Sequence, residues 1–210
     1  PSSDAITTIY ENDANGNAAK RIDAGGQASF YYYNALGQKR AQLDAAGYVT
    51  YWAYDAEGNV IAERRYATRF TGAPSTSTIP SVATDGADRF TQYGYDRNGN
   101  RTHEQREWVL VHNGAGAAVS TTSIIFYQYN GLGQVVRKTE ATGEFIDYSY
   151  DAGGRLMLES RSGYIDHAGN TVTPTIDYYY NGLGNLTRTR HRGAGDAAER
   201  ITTYGYDGDK

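Results

Sequence analysis

One phrase returns eight times along the 210 residues: two aromatic residues two apart, then Asp or Asn, then a Gly four residues past the second aromatic. The clearest copies are Tyr31-Tyr32-Tyr33-Asn34-Ala35-Leu36-Gly37, Trp52-Ala53-Tyr54-Asp55-Ala56-Glu57-Gly58 and Tyr93-Gly94-Tyr95-Asp96-Arg97-Asn98-Gly99. Three more follow at Tyr127 to Gly133, Tyr148 to Gly154 and Tyr178 to Gly184. A degenerate first copy has Tyr10, Asp13 and Gly16, and a truncated last copy has Tyr204, Tyr206 and Asp207 with Lys210 in the Gly place. Gly16, Gly37 and Gly58 lie 21 residues apart, as do Gly133 and Gly154, and Gly26, Gly47 and Gly143 fall midway between key glycines. The unit is therefore a turn every ten or eleven residues, a period that admits only a repeat architecture.

Side chains alternate faces along a strand, so Tyr31 with Tyr33, Trp52 with Tyr54, Tyr93 with Tyr95, Tyr127 with Tyr129, Tyr148 with Tyr150, and Tyr178 with Tyr180 each point to one side. Each strand is predicted to present an aromatic ladder. The Asp or Asn that follows, as in Asp55, Asp96 and Asp151, accepts from backbone amides two residues on, and the Gly closes the turn at positive φ. Outgoing segments such as Val60-Ile61-Ala62-Glu63-Arg64 and Leu156-Met157-Leu158-Glu159-Ser160 begin apolar and end charged, which predicts strands that leave a packed layer and surface. Uniform short connections allow only antiparallel neighbours, and no stretch has sustained helical periodicity. The predicted fold is all-β, an antiparallel meander of about fourteen to eighteen strands, more than the ~10 that an open twisted sheet accommodates before it curls or winds.

Hydrophobic residues make up 39% of the chain, but 20 tyrosines are available, and these are expected to supply the buried area. A net charge of −4 with interspersed signs gives no broad basic field and argues against nucleic acid as a partner. No apolar run reaches the roughly 20 residues that a membrane helix needs. The absence of cysteine excludes disulfides, zinc–thiolate sites and cysteine nucleophiles. Residues 1–210 read as a single β-ribbon taken from a longer array, because the sequence stops inside its eighth phrase. A polar, breaker-rich insertion at 71–87 reads as surface elaboration. Residues 112–118 read as a hairpin tip, and 163–174 and 193–198 as further excursions.

Reactive constellations are few. Asp96 through Glu107 places oxygen ligands at calcium-loop positions but has Arg101 where that loop needs Gly. His103, His112, His167 and His191 show no ligand spacing. Ser75-Thr76-Ser77 has no nucleophile-elbow pattern. Glu104 with Glu107 and Asp85 with Asp88 read as solvated charge rather than an acid and base pair. No catalytic residue, metal ligand or cofactor is expected. Trp52 and Trp108 depart from the repeat pattern and are the candidates for an exposed ligand platform.

The Tyr-Asp-Ala-x-Gly-Asn/Arg phrase of Tyr54 to Asn59 and Tyr150 to Arg155 resembles the Tyr-Asp repeats of bacterial Rhs proteins, of the shell-forming components of Tc toxins and of teneurins. The resemblance runs from about Ile9 to Asp207. It implies a sheet ribbon that spirals into a hollow shell, enclosing a toxic C-terminal polypeptide in bacterial members, with this chain forming a partial shell. The Asp-Pro pair of the self-cleaving segment in toxin-bearing members is missing here, so no catalytic residue carries over. The implied partners are the rest of the parent array and an enclosed cargo, in a secreted or cell-surface bacterial protein. A competing expectation is an adhesion or carbohydrate-binding module that uses its aromatic face on a glycan. Unpaired end strands would also allow edge-to-edge self-association.

Overall fold

The computed structural model describes residues 7–112, 116–193 and 199–207, and every regular element among them is a β-strand. Two compact units divide the chain, Pro1–Ser123 and Ile124–Lys210. The first contains β1 (Ile9–Asn12), β2 (Ala18–Ile22), β3 (Ala28–Tyr33), β4 (Lys39–Leu43), β5 (Val49–Tyr54), β6 (Val60–Arg65), β7 (Arg89–Tyr95), β8 (Arg101–His112) and the start of β9 (Ala118–Tyr129). The second holds the rest of β9, then β10 (Val135–Thr139), β11 (Phe145–Tyr150), β12 (Leu156–Arg161), β13 (Tyr164–Ile165), β14 (Thr171–Val172), β15 (Thr175–Tyr180), β16 (Leu186–Arg192) and β17 (Arg200–Thr203).

Within each unit the strands pair antiparallel in chain order, so the fold is the meander of hairpins that the repeat predicts. The one departure is β13 and β14, a two-stranded sheet of their own inside the 163–174 excursion, which leaves β12 paired directly with β15. An Asp166–Gly169 turn closes this small hairpin with the same chemistry as the main repeat.

The ladder separates the two faces. Trp52 pairs with Glu63 and Glu63 with Thr91 on the phrase face, whereas Tyr51, Arg64 and Phe90 follow one another on the opposite face. The buried residues of the first unit's sheet core, Phe30, Tyr32, Ala41, Leu43 and Val49, all lie on that opposite face. The phrase pairs themselves are half-buried, so the deepest burial falls on a different set of side chains from the expected aromatic ladder.

What covers this core is the connection between β6 and β7. Tyr66, Phe70, Ile79 and Val82 pack on it, and Tyr66 and Phe70 donate their amides to the Val49 and Gly47 carbonyls at 2.9 Å each. The Tyr32 hydroxyl donates to the Ser75 carbonyl at 2.7 Å, and the Tyr51 hydroxyl to the Pro80 carbonyl. The 71–87 insertion is thus not surface elaboration but a second layer: its apolar residues are spaced within a polar segment, and the signal is too sparse to read as a packing element. Asp88, 1% exposed, closes the base of this layer. Its carboxylate accepts from the Ala67 amide at 3.0 Å, the Asp85 amide at 3.2 Å and Arg64 Nη1 at 3.3 Å.

Among the described residues of the second unit no such layer covers the sheet. Among its described residues only Val172, in the small hairpin, and Thr189 are buried.

Candidate functional site

The phrase builds the turns, and their backbone hydrogen bonds are the same at each described copy. At Asp96 the backbone amide donates to the Asn100 carbonyl at 2.9 Å and the Gly99 amide donates to the Asp96 carbonyl at 3.1 Å. This is a type I turn closed by a left-handed Gly, the three-residue hairpin with a bulge. One Asp96 carboxylate oxygen accepts from the Asn98 and Asn100 amides, and the other from Asn100 Nδ2, all at 2.9 Å. Both oxygens are thereby committed to the turn. Asp13 and Asp55 repeat the arrangement with Asn17 and Asn59, and Asp151 uses the Arg155 amide and guanidinium. Asn34 and Asn130 substitute a neutral amide that donates to Gln38 and Gln134.

These bonds hold the carboxyls of Asp13, Asp55 and Asp96 below the ordinary carboxylate range, chiefly through the side-chain amides of Asn17, Asn59 and Asn100. For Asp151 the main cause is the Arg155 backbone amide.

The bulge displaces the second aromatic from regular pairing, with the register shifting at Tyr33, Tyr54, Tyr95, Tyr150 and Tyr180. Each of these hydroxyls then reaches to the first carbonyl of the neighbouring, preceding outgoing strand. Tyr54 donates to Lys39 at 2.8 Å, Tyr95 to Val60 at 2.9 Å, Tyr150 to Val135 at 2.8 Å, Tyr180 to Leu156 at 2.9 Å, and Tyr33 to Ala18 at 3.2 Å. Even Tyr206 in the truncated copy donates to Leu186 at 2.8 Å. Each hairpin is stitched to the one before it. Burial pushes the Tyr33, Tyr54, Tyr95 and Tyr150 hydroxyls above their ordinary pKa.

A second contact runs from turn to turn. Gln134 Nε2 donates to the Gly154 carbonyl at 2.8 Å. A Cβ at Gly154 would lie 3.2 Å from Gln134 Nε2, and one at Gly58 would lie 3.1 Å from Gln38 Nε2. The residue after one key glycine therefore leans on the next key glycine. The Asn, Gln or Arg following Gly was legible as part of the phrase, but its reach to a turn 20 residues away was not.

The first aromatic of each pair is occupied differently. Trp52 Nε1 donates to Glu63 Oε2 at 2.9 Å, and the Lys39 ammonium sits 4.5 Å from the ring centroid. The half-buried Trp52 is a packed residue on one face and hydrogen-bonded at its edge. Trp108 belongs to β8, but its side chain lies outside the described residues. The two tryptophans therefore do not form a demonstrated platform. Tyr178 donates to Glu159 Oε1 at 2.6 Å, and burial followed by this bond raises its pKa far above the ordinary value. Tyr93 lies under Arg101 at 5.4 Å, Tyr148 pairs with Glu159, and Tyr127 pairs with Lys138 and Tyr129 with Val135.

Two expectations about charge are corrected here. Glu63 and Glu159 do not surface at the ends of their strands; they turn into the aromatic row and take its N–H and O–H donors. Glu104 is buried and ion-paired with Arg106 at 2.6 Å and Arg101 at 3.2 Å, while Asp88 is buried among loop donors, so neither is solvated charge. A carboxylate can afford this burial when hydrogen bonds and an opposite charge meet it. Among the described residues no three metal-ligating side chains converge, and no helix is long and apolar enough to cross a membrane.

Bulged hairpins stitched to their neighbours by tyrosine hydroxyls within each unit define a structural-repeat fold. Residues 129–164 match the family model described as RHS Repeat. A chain in the crystal structure of TcdB2-TccC3-Cdc42 superimposes with a TM-score of 0.64 at 17% identity, over 96% of this chain and 10% of that one. The structure of the Photorhabdus luminescens Tc holotoxin pore matches at a TM-score of 0.46 and 17% identity, over 97% of this chain and 13% of its own. No curated protein sequence matches. Residues 129–164 thus resemble Rhs repeats, and the chain spans a tenth of the length of the first of these structures.

Proposed function

We propose that this chain is a noncatalytic stretch of wall in a YD-repeat shell that encloses a polypeptide, in a toxin-type protein delivered outside the cell. The observation that carries the reading is the second unit's sheet. It is built of antiparallel hairpins, and among its described residues no buried core lies beneath it, Thr189 being the one buried residue of the strands of that sheet. Such a layer does not stabilise itself by burial as a globule does. It draws its order from paired backbone groups, tyrosine stitches and turn contacts, which suit a wall whose faces meet other material. The fold likeness to a chain in the TcdB2-TccC3-Cdc42 structure supports the same reading.

The test is limited proteolysis and electron cryomicroscopy of the intact parent protein. A hollow particle with a protected internal segment, released only when the ribbon is disrupted, is the expected result. A solid rod or flat sheet, or a segment digested as fast as free peptide, would refute it.

A further inference from the structure

The same register carries opposite chemistry in the two units. On β3 and β4, Phe30 pairs with Leu43 and Tyr32 with Ala41, and all four are buried under the covering loop. On β15 and β16, Asp177 pairs with Arg190 and Tyr179 with Arg188 on the equivalent face. Arg192 continues the alternation opposite Thr175, so Arg188, Arg190 and Arg192 form a stripe along one face of β16.

The stripe is only partly neutralised. Arg192 Nη2 holds Asp177 Oδ1 at 2.7 Å, and Arg190 holds Glu199. Arg188 instead stacks its guanidinium 3.7 Å from the Tyr179 ring centroid, in the place where Tyr32 has the loop. Three polar atoms here are buried and without a hydrogen-bond partner: the donors Arg188 Nε and Arg190 Nε, and the acceptor Asp177 Oδ2. Buried polar groups ordinarily find partners, so these three atoms mark the face that a further group would meet.

We propose that the β16 arginine stripe docks an extended acidic polypeptide segment, which takes on the second unit the place that the 66–88 connection takes on the first. Alternate side chains of an extended chain repeat at about 6.6 Å, the spacing of Arg188, Arg190 and Arg192 along their strand. Carboxylates on alternate residues therefore meet successive guanidiniums, which take them in planar, charge-assisted pairs. The net charge of −4 opposes any polyanion alike, so what selects a polypeptide is the match between alternate carboxylates on an extended chain and the strand repeat of the guanidiniums. The proposal does not depend on the shell reading.

The test is fluorescence polarisation with the 210-residue chain and a labelled peptide alternating Glu and Thr, against a Gln-Thr peptide, a peptide with its Glu residues in one block, and a thymidine oligonucleotide. Saturable binding that favours the alternating Glu peptide is expected. Arg188→Gln should weaken it about tenfold through loss of one charged hydrogen-bond pair, and Arg188→Lys should restore it only in part. With unaltered protein, the Nε–Hε resonances of Arg188 and Arg190 should shift on titration, a readout that needs no variant. No saturable binding of any peptide would overturn the proposal. Equal affinity for the block peptide, tighter binding of the oligonucleotide, self-association in place of peptide binding, or unmoved Nε–Hε signals would each overturn the proposal.

Discussion

The Tyr150 hydroxyl lies 2.8 Å from the Val135 carbonyl oxygen, joining the end of β11 to the start of β10. Tyr54 holds the same relation to Lys39 at the same distance. Replacing either tyrosine by Phe leaves the ring in place and strips a half-buried carbonyl of its donor. Each of Tyr54→Phe and Tyr150→Phe should therefore cost about 1 kcal/mol in urea unfolding. Tyr164→Phe, on an exposed small-hairpin residue, is the control and should cost nothing measurable. If all three variants unfold alike, the hydroxyl stitch contributes no stability.

The key glycines carry two constraints that can be separated. Gly58 and Gly143 both have positive φ, 93° and 87°, but a Cβ at Gly58 meets Gln38 Nε2 at 3.1 Å while one at Gly143 meets nothing. Gly143→Ala should cost about 1–2 kcal/mol from left-handed strain alone. Gly58→Ala should cost more, and Gln38→Ala in the same chain should return the excess. A double-mutant cycle with zero coupling between positions 38 and 58 would remove the turn-to-turn contact from the account.

The hairpins were legible because their determinants are local. Asp96, Asn98, Gly99 and Asn100 complete a turn among themselves, so spacing alone reveals it. The covering of Phe30 and Tyr32 was not legible, because Ile79 and Val82 lie far along the chain in a segment whose composition reads as loop. Glu63 and Glu159 misled for a related reason. A carboxylate at the end of a strand reads as solvated until the cross-strand partner, Trp52 or Tyr178, is known. The arginine stripe had a visible signal, Arg at alternate positions 188, 190 and 192, but its significance depends on Asp177 and Tyr179 across the ladder.

Asp88 is the most heavily used side chain at the base of the covering layer. Asp88→Ala removes the acceptor for the Ala67 and Asp85 amides and leaves Arg64 without its carboxylate. A loss of about 3–5 kcal/mol is expected for breaking one side of a buried pair. The loss should be local first, with the Tyr66 and Phe70 amides exchanging faster while the Asp151 turn in the second unit keeps its protection. Uniform acceleration across both units would show that Asp88 holds the whole fold rather than one layer.

Opposite ends of the pH scale should attack different parts of the repeat. Asp96 is held below its ordinary 3.8 by Asn100 and neighbouring amides, so its turn is stabilised above 3.8 and loosens as pH falls through the lowered value. The Asn130 turn has the same geometry without a titrating group. In an acid titration followed by NMR, the Asn98 and Asn100 amide shifts should move while those of Leu132 and Gln134 stay fixed. Tyr54, Tyr95 and Tyr150 behave in the reverse sense. Burial raises them above 10.0, so their contribution is complete below 10.0 and disappears as pH rises through the raised values. Phenolate absorbance should then appear together with loss of the β circular-dichroism signal, in one cooperative step above 10.0. Tyrosines that ionise independently at 10.0 with the sheet intact would show that their hydroxyls are not stitched to the neighbouring strands.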